Sequence, residues 1–184
     1  GGTAVGDLTA GVTAALVFAA LFAAPGIGDV WVQRHRPALA KGAPDRHGQV
    51  ACAIHVTTYT LTTTAAVLLV WGLPLGTHIT WAGLAAGQAF SAVTHYAIDR
   101  RWTLRVLAGW AGKLDYHDLG QPRPLIVVAT EWAEPVDAAG LPDEQDITVL
   151  VPLDNMPAAT GANSLDRTAH YAALFAAALL TALI

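Results

Sequence analysis

The sequence predicts an all-α integral membrane protein: four transmembrane helices in a bundle, with a small β-containing cytoplasmic insert between the third and the fourth. Three observations predict it: apolar runs of bilayer length, basic residues confined to one side, and tryptophans at the boundaries. A composition of 54% hydrophobic and 13% charged residues would also suit an Ala-rich soluble helical domain. The interior of helix one and the C-terminal part of helix four carry no charged stripe at a period of about 3.6 residues, which decides for the membrane.

Each element follows from the span rule that about twenty apolar residues at about 1.5 Å rise cross a core of roughly 30 Å. Helix one runs from about Asp7 to Gly28, helix two from about Val50 to Gly72, and helix three from about Ile79 to Ile98. Helix four, from about Leu165 to Ile184, opens on polar residues and then reads YAALFAAALLTALI. Four crossings place both termini and the turn from Leu73 to His78 on one face, where Lys and Arg are absent. All ten basic residues fall on the other face: Arg34, Arg36, Lys41 and Arg46 in the first connection, Arg100, Arg101, Arg105, Lys113 and Arg123 after helix three, and Arg167 at the start of helix four. The positive-inside bias makes that face cytoplasmic, with both termini extracytoplasmic. Trp71 and Trp81 flank the outer turn, while Trp31, Trp102 and Trp110 stand at the inner boundary, where amphipathic rings settle at headgroup depth.

The chain divides into residues 1–123, three helices with a cytoplasmic loop; residues 124–152, a β-hairpin-like insert; and residues 153–184, an irregular loop and the fourth helix. The runs Leu125 to Thr130 and Ile147 to Val151 are rich in β-branched residues and separated by Pro, Gly, Asp and Glu, which predicts two short strands. Asn163 or Ser164 is the expected cap of helix four. Pro25, with Gly26 and Gly28, should kink or end helix one.

Composition also excludes. The net charge of −4, with acidic residues mixed among the basic ones, leaves no nucleic-acid footprint. The single cysteine, Cys52, rules out an intramolecular disulfide and reads as a small packed residue. Helix one is long, lacks a basic n-region and has no A-x-A site, so it does not read as a signal peptide.

The chemistry lies in one layer. Asp29 ends helix one, His55 stands near the start of helix two, His95 and Asp99 end helix three, and Asp166 and His170 open helix four. His95 with Asp99, and Asp166 with His170, are i,i+4 pairs that stack on one helix face. Imidazoles and carboxylates gathered from several helices are how bundles bind divalent ions. A metal site of His95, Asp99, Asp166 and His170, holding zinc, manganese or magnesium, is therefore expected, with Asp29 or His55 as general base. The competing reading makes these residues interhelical hydrogen-bonding glue. His35, His47, His78 and His117 read as solvated, with His117 in Asp115-Tyr116-His117-Asp118 held in reserve. Gly83, Gly87 and Ser91 recur every four residues and suit a close helix approach, within the chain or across a homo-oligomer.

Several of these residues carry a resemblance. Asp29, Trp31 and Gln33, then Lys41, His55, the segment SAVTHYAIDRR, and Asp154, Asn155, Gly161, Leu165, Asp166 and His170 resemble a bacterial and phage membrane-protein family catalogued as domain of unknown function 3307. The resemblance covers most of the chain. It implies an integral membrane protein of unestablished biochemistry, and it makes the segment from Leu125 to Val151 an embellishment. Two departures stand out: Pro25 where the family carries His, and Arg167 where it carries Gln or a similar residue.

Two function classes follow. The first is a metal-dependent hydrolase acting on a lipid or phosphoester at the cytoplasmic boundary. The second is a noncatalytic membrane scaffold or accessory protein, associated with a phage or mobile element, whose insert docks a protein partner. Ion conduction ranks third, because four helices leave little room for a path.

Overall fold

The computed structural model describes residues 2–27, 43, 45–121, 123–125, 149–151 and 159–184. Four long helices form an antiparallel bundle: α1 (Gly2–Ile27), α2 (Arg46–Gly72), α3 (Trp81–Asp99) and, last in the chain, α6 (Thr160–Leu183). Between α3 and α6 lie two short helices, α4 (Trp102–Trp110) and α5 (Leu114–His117), and two three-residue strands, β1 (Arg123–Leu125) and β2 (Val149–Val151). Around the bundle, α1 packs on α2 and α6, and α3 packs on α2 and α6, so the last helix closes the ring.

The fold class expected from sequence needs two corrections. Among the described residues two helices, not four, are long and apolar enough to cross a membrane: Leu8–Ile27 and Arg46–Gly72. The expected spans three and four fall short for a compositional reason. Helix α3 mixes weakly hydrophobic Ala and Gly with Gln88, Ser91, Thr94 and His95, and α6 begins with Asn163, Ser164, Asp166 and Arg167. Counting Ala and Gly as apolar overstated them. The β-hairpin-like insert is also not found: the described residues hold one antiparallel ladder of three pairs, Arg123↔Val151, Pro124↔Leu150 and Leu125↔Val149. The rest of the expected strands lies outside the described residues.

Local chemistry sets the helix ends. The Asp45 carboxylate accepts the Gly48 N–H at 2.8 Å, and the Thr80 hydroxyl accepts the Gly83 N–H at 2.9 Å, so each fills an orphan donor of a first turn. Helix α6 starts earlier than its expected caps. Its N-cap is Ala159, with a left-handed φ of 57° and no side-chain cap, while Ser164 donates back to the Thr160 carbonyl at 2.9 Å. Helix α1 continues through Pro25 and ends at Ile27. Because Pro25 lacks an N–H, the last turn is one hydrogen bond short.

The core between the helices joins Val17 and Leu21 of α1, Tyr59 and Val67 of α2, Leu84 of α3, and Leu174, Ala177 and Ala178 of α6. The outer surface is also apolar: Leu61 is 68% exposed, Val93 69% and Phe175 54%. Helices α3 and α6 come closest. A Cβ on Gly83 would stand 2.6 Å from the Thr181 carbonyl oxygen, and one on Gly87 would stand 2.8 Å from the Ala177 carbonyl oxygen and strike the Thr181 hydroxyl. The glycine stripe is therefore occupied within the chain by α6, and its third member, Ser91, hydrogen-bonds Tyr59 of α2.

Candidate metal centre

The antiparallel order brings the start of α2, the end of α3 and the start of α6 to one end of the bundle. Three side chains converge there. His55 Nε2 lies 2.9 Å from His95 Nε2 and 3.1 Å from Asp99 Oδ2, and His95 Nε2 lies 3.3 Å from the same oxygen. All three residues are buried, at 2%, 5% and 4% exposure. The i,i+4 spacing on α3 stacks His95 over Asp99, and the neighbouring α2 supplies His55 opposite them. The group could hold a metal ion.

The triangle fits a small divalent cation. Ligands at about 2.0–2.1 Å from a tetrahedral zinc stand about 3.4 Å from one another, close to the 2.9, 3.1 and 3.3 Å separations of the three atoms. Two imidazole nitrogens and one carboxylate oxygen form a donor set with room for further ligands. Tyr59 stacks on His95 with ring centroids 3.8 Å apart and holds its plane, while its own hydroxyl is tied to Ser91 at 3.2 Å.

His170 of α6 stands beside this group. Its Nδ1 contacts the Asp166 backbone carbonyl at 2.9 Å and the Asp166 carboxylate at 3.5 Å, and its Nε2 is 3.8 Å from Asp99 Oδ1. With Nδ1–H held by Asp166, the lone pair sits on Nε2, a buried atom with no hydrogen-bond partner among the described residues. The environments of the two histidines diverge. Burial pushes the His95 imidazole below its ordinary pKa, more strongly than hydrogen bonding to Asp99 raises it. Burial also acts downward on His170, but the side chain, charge and carbonyl of Asp166, with the charge of Asp99, together hold it above the ordinary value.

A cavity of about 400 Å³ opens onto the site. Its polar part is His95, Asp99, Asp166 and His170, with Arg167 and Asn163 at the margin, and its apolar wall is Phe22, Tyr59, Tyr171 and Leu174. Phe22 and Tyr171 continue outward as an aromatic ladder: Phe22 to Tyr171 at 5.0 Å, Phe22 to Phe18 at 5.9 Å, and Phe18 to Phe175 at 5.8 Å between centroids.

The expected residues are thus distributed unevenly. His95 and Asp99 meet in the triad, His55 joins them in the position of a ligand, His170 lies alongside, and Asp166, partly exposed, backs His170. Asp29, with Trp31, Gln33, Lys41, Asp154 and Asn155 of the resemblance, lies outside the described residues. His117, read from sequence as solvated and held in reserve, is buried on α5 and hydrogen-bonded to Asp118 at 2.7 Å, with Arg105 also on Asp118 at 3.2 Å. The flanking Asp115 and Asp118 were the available signal. His47 and His78 are exposed.

No protein-family model matches the chain, and no curated protein or solved structure matches it either.

Proposed function

We propose that this is a membrane-associated metalloprotein in which His55, His95 and Asp99 bind one divalent ion, zinc first among candidates, to catalyse hydrolysis. The single observation that carries the reading is the convergence of three buried ligand atoms within 4.8 Å of one another. Buried ionisable groups are costly and tend to mark ion or substrate sites. A bound divalent ion would supply Lewis acidity and lower the pKa of a water molecule. His170, oriented by Asp166, would accept the proton of that water at Nε2 as its oxygen adds to the ester, and would then return it to the departing oxygen. Two candidate spans support membrane association, and the site end carries Arg46, Arg100, Arg101, Arg105, Lys113 and Arg167, which supports a cytoplasmic orientation of that end.

The test is elemental analysis of the purified protein and of His55→Ala, His95→Ala and Asp99→Ala. About one equivalent of a divalent metal in the parent and its loss in each variant is expected. Equal trace content across the series would end the proposal.

A scaffold reading is favoured by a different observation: the polar contacts continue down the bundle as Tyr59 with Ser91 and as Thr63 donating to Gln88 at 2.9 Å. On that reading the layer orients helices, and a chelator leaves the melting temperature unchanged.

A further inference from the structure

The cavity beside the triad has a divided lining, and the division has a direction. Its polar residues come from α3 and from the first turns of α6. Its aromatic side leads away between α1 and α6, where Phe22 is 49% exposed, Tyr171 41% and Phe175 54%. Tyr171, Phe22, Phe18 and Phe175 touch in that order, with Phe18 also packed against the core, so they form a path from the cavity along a candidate membrane span. A small hydrophilic substrate would have no use for such a path. An alkyl chain would fill it.

Charge selects the other end of the ligand. Asp99 and Asp166 line the cavity against a single guanidinium, Arg167, which makes no ion pair among the described residues. A divalent ion at the triad reverses that balance and leaves the metal side and Arg167 as two positive points on a cavity that His170 also lines. Such an arrangement suits an oxyanion with several acceptor oxygens, and Arg167 can meet it with paired donors.

We infer that the cavity binds a phosphate-bearing lipid, its headgroup between the triad and Arg167 and its chain along the Tyr171–Phe22–Phe18–Phe175 ladder. The inference rests on the metal reading, since without the ion the carboxylates repel the headgroup. It narrows the substrate to a phospho-amphiphile reached sideways from the bilayer, not a soluble phosphoester.

The experiment uses the full chain in phosphatidylcholine nanodiscs, with metal content measured on every sample. Three probes are compared: dioctanoyl phosphatidic acid, inorganic phosphate and dioctanoylglycerol. Phosphatidic acid should bind at least about ten-fold more tightly than either of the others, and Arg167→Gln should lower its affinity about ten-fold while Arg167→Lys retains part of it. Phe22→Ser together with Phe175→Ser should weaken phosphatidic acid and leave inorganic phosphate unchanged. If inorganic phosphate binds as tightly as the lipid, the site takes a free anion and the inference falls. If dioctanoylglycerol binds as tightly, or Arg167→Gln has no effect, the cavity is merely greasy and the inference falls too. Either result with metal present leaves the metal centre standing, whereas a preparation that never takes up metal removes the centre and this ligand together.

Discussion

At the end where α3 closes, two imidazoles and a carboxylate from α2 and α3 meet within hydrogen-bond reach, with His170 of α6 at 3.8 Å from Asp99; at the end where α3 begins, glycines let α6 approach against bare backbone. The first end holds His55, His95, Asp99 and His170. The second holds Gly83, Gly87 and Thr181, with Trp71 and Trp81 edge to face at 4.7 Å. The difference teaches that the two ends have divided the labour. Close packing of small residues fixes the separation of α3 and α6, and that separation lets costly polar groups be gathered at the other end.

The comparison can be broken most severely at the polar end. On the proposed metal reading, His55→Ala should reduce metal affinity by more than about 100-fold, since it would remove a ligand where even an outer partner costs about 10–100-fold. Competition with a chromophoric chelator measures it, and a change under about threefold would mean that the imidazole is only a spacer.

Next comes the small-residue end. Gly87→Val introduces a side chain where even a Cβ meets the Ala177 carbonyl oxygen at 2.8 Å, so α3 and α6 must move apart. A destabilisation of about 2 kcal/mol in detergent unfolding is expected, together with weaker metal retention although no ligand has changed. Unaltered metal retention alongside lost stability would show that the two ends are independent.

A smaller effect belongs to Asp166→Asn, which removes the carboxylate 3.5 Å from His170 Nδ1 and leaves the backbone carbonyl at 2.9 Å. Turnover should fall about tenfold while metal content is kept. The pH dependence sharpens the same contrast. His95 is lowered below 6.5, so it stays neutral and able to ligate as pH falls through that value, whereas His170 is raised and remains protonated at somewhat higher pH. The lowered pKa of His95 adds stability above 6.5 that is lost on acidification, while the raised pKa of His170 adds stability below 6.5 that is lost as pH climbs past its folded value. Imidazole NMR titration of the metal-free protein should resolve the two in that order, and the reverse order would contradict it. Smallest of all is Thr181→Val, which removes only a hydroxyl bonded to the Ala177 carbonyl at 2.9 Å and should shift stability by less than about 1 kcal/mol.

Much of the site was readable because i,i+4 spacing is a geometric statement: it put His95 on the face of Asp99 and His170 on the face of Asp166 before any tertiary contact was known. The partnership between helices was harder. His55 was expected as a base, yet it is 40 positions from His95 along the chain and 2.9 Å away in space, and nothing local in ACAIHVTT reports that distance. The span count failed for the opposite reason, since Ala and Gly serve helix contact as readily as they serve a bilayer. His117 was misread as solvated because burial on a four-residue helix depends on α6 packing over it.

The residues that leave α5 and those that enter α6 are joined by backbone hydrogen bonds. The Ala159 N–H donates to the Gly120 carbonyl at 2.8 Å and the Gly161 N–H to the Leu119 carbonyl at 3.1 Å, while Gly161 rests against the Tyr116 carbonyl. Departure and return are thus fastened side by side, next to the first turn of the helix that bears His170. The start of α6 is consequently registered against α5 before His170 is reached, so this clamp sets where along the bundle that imidazole stands.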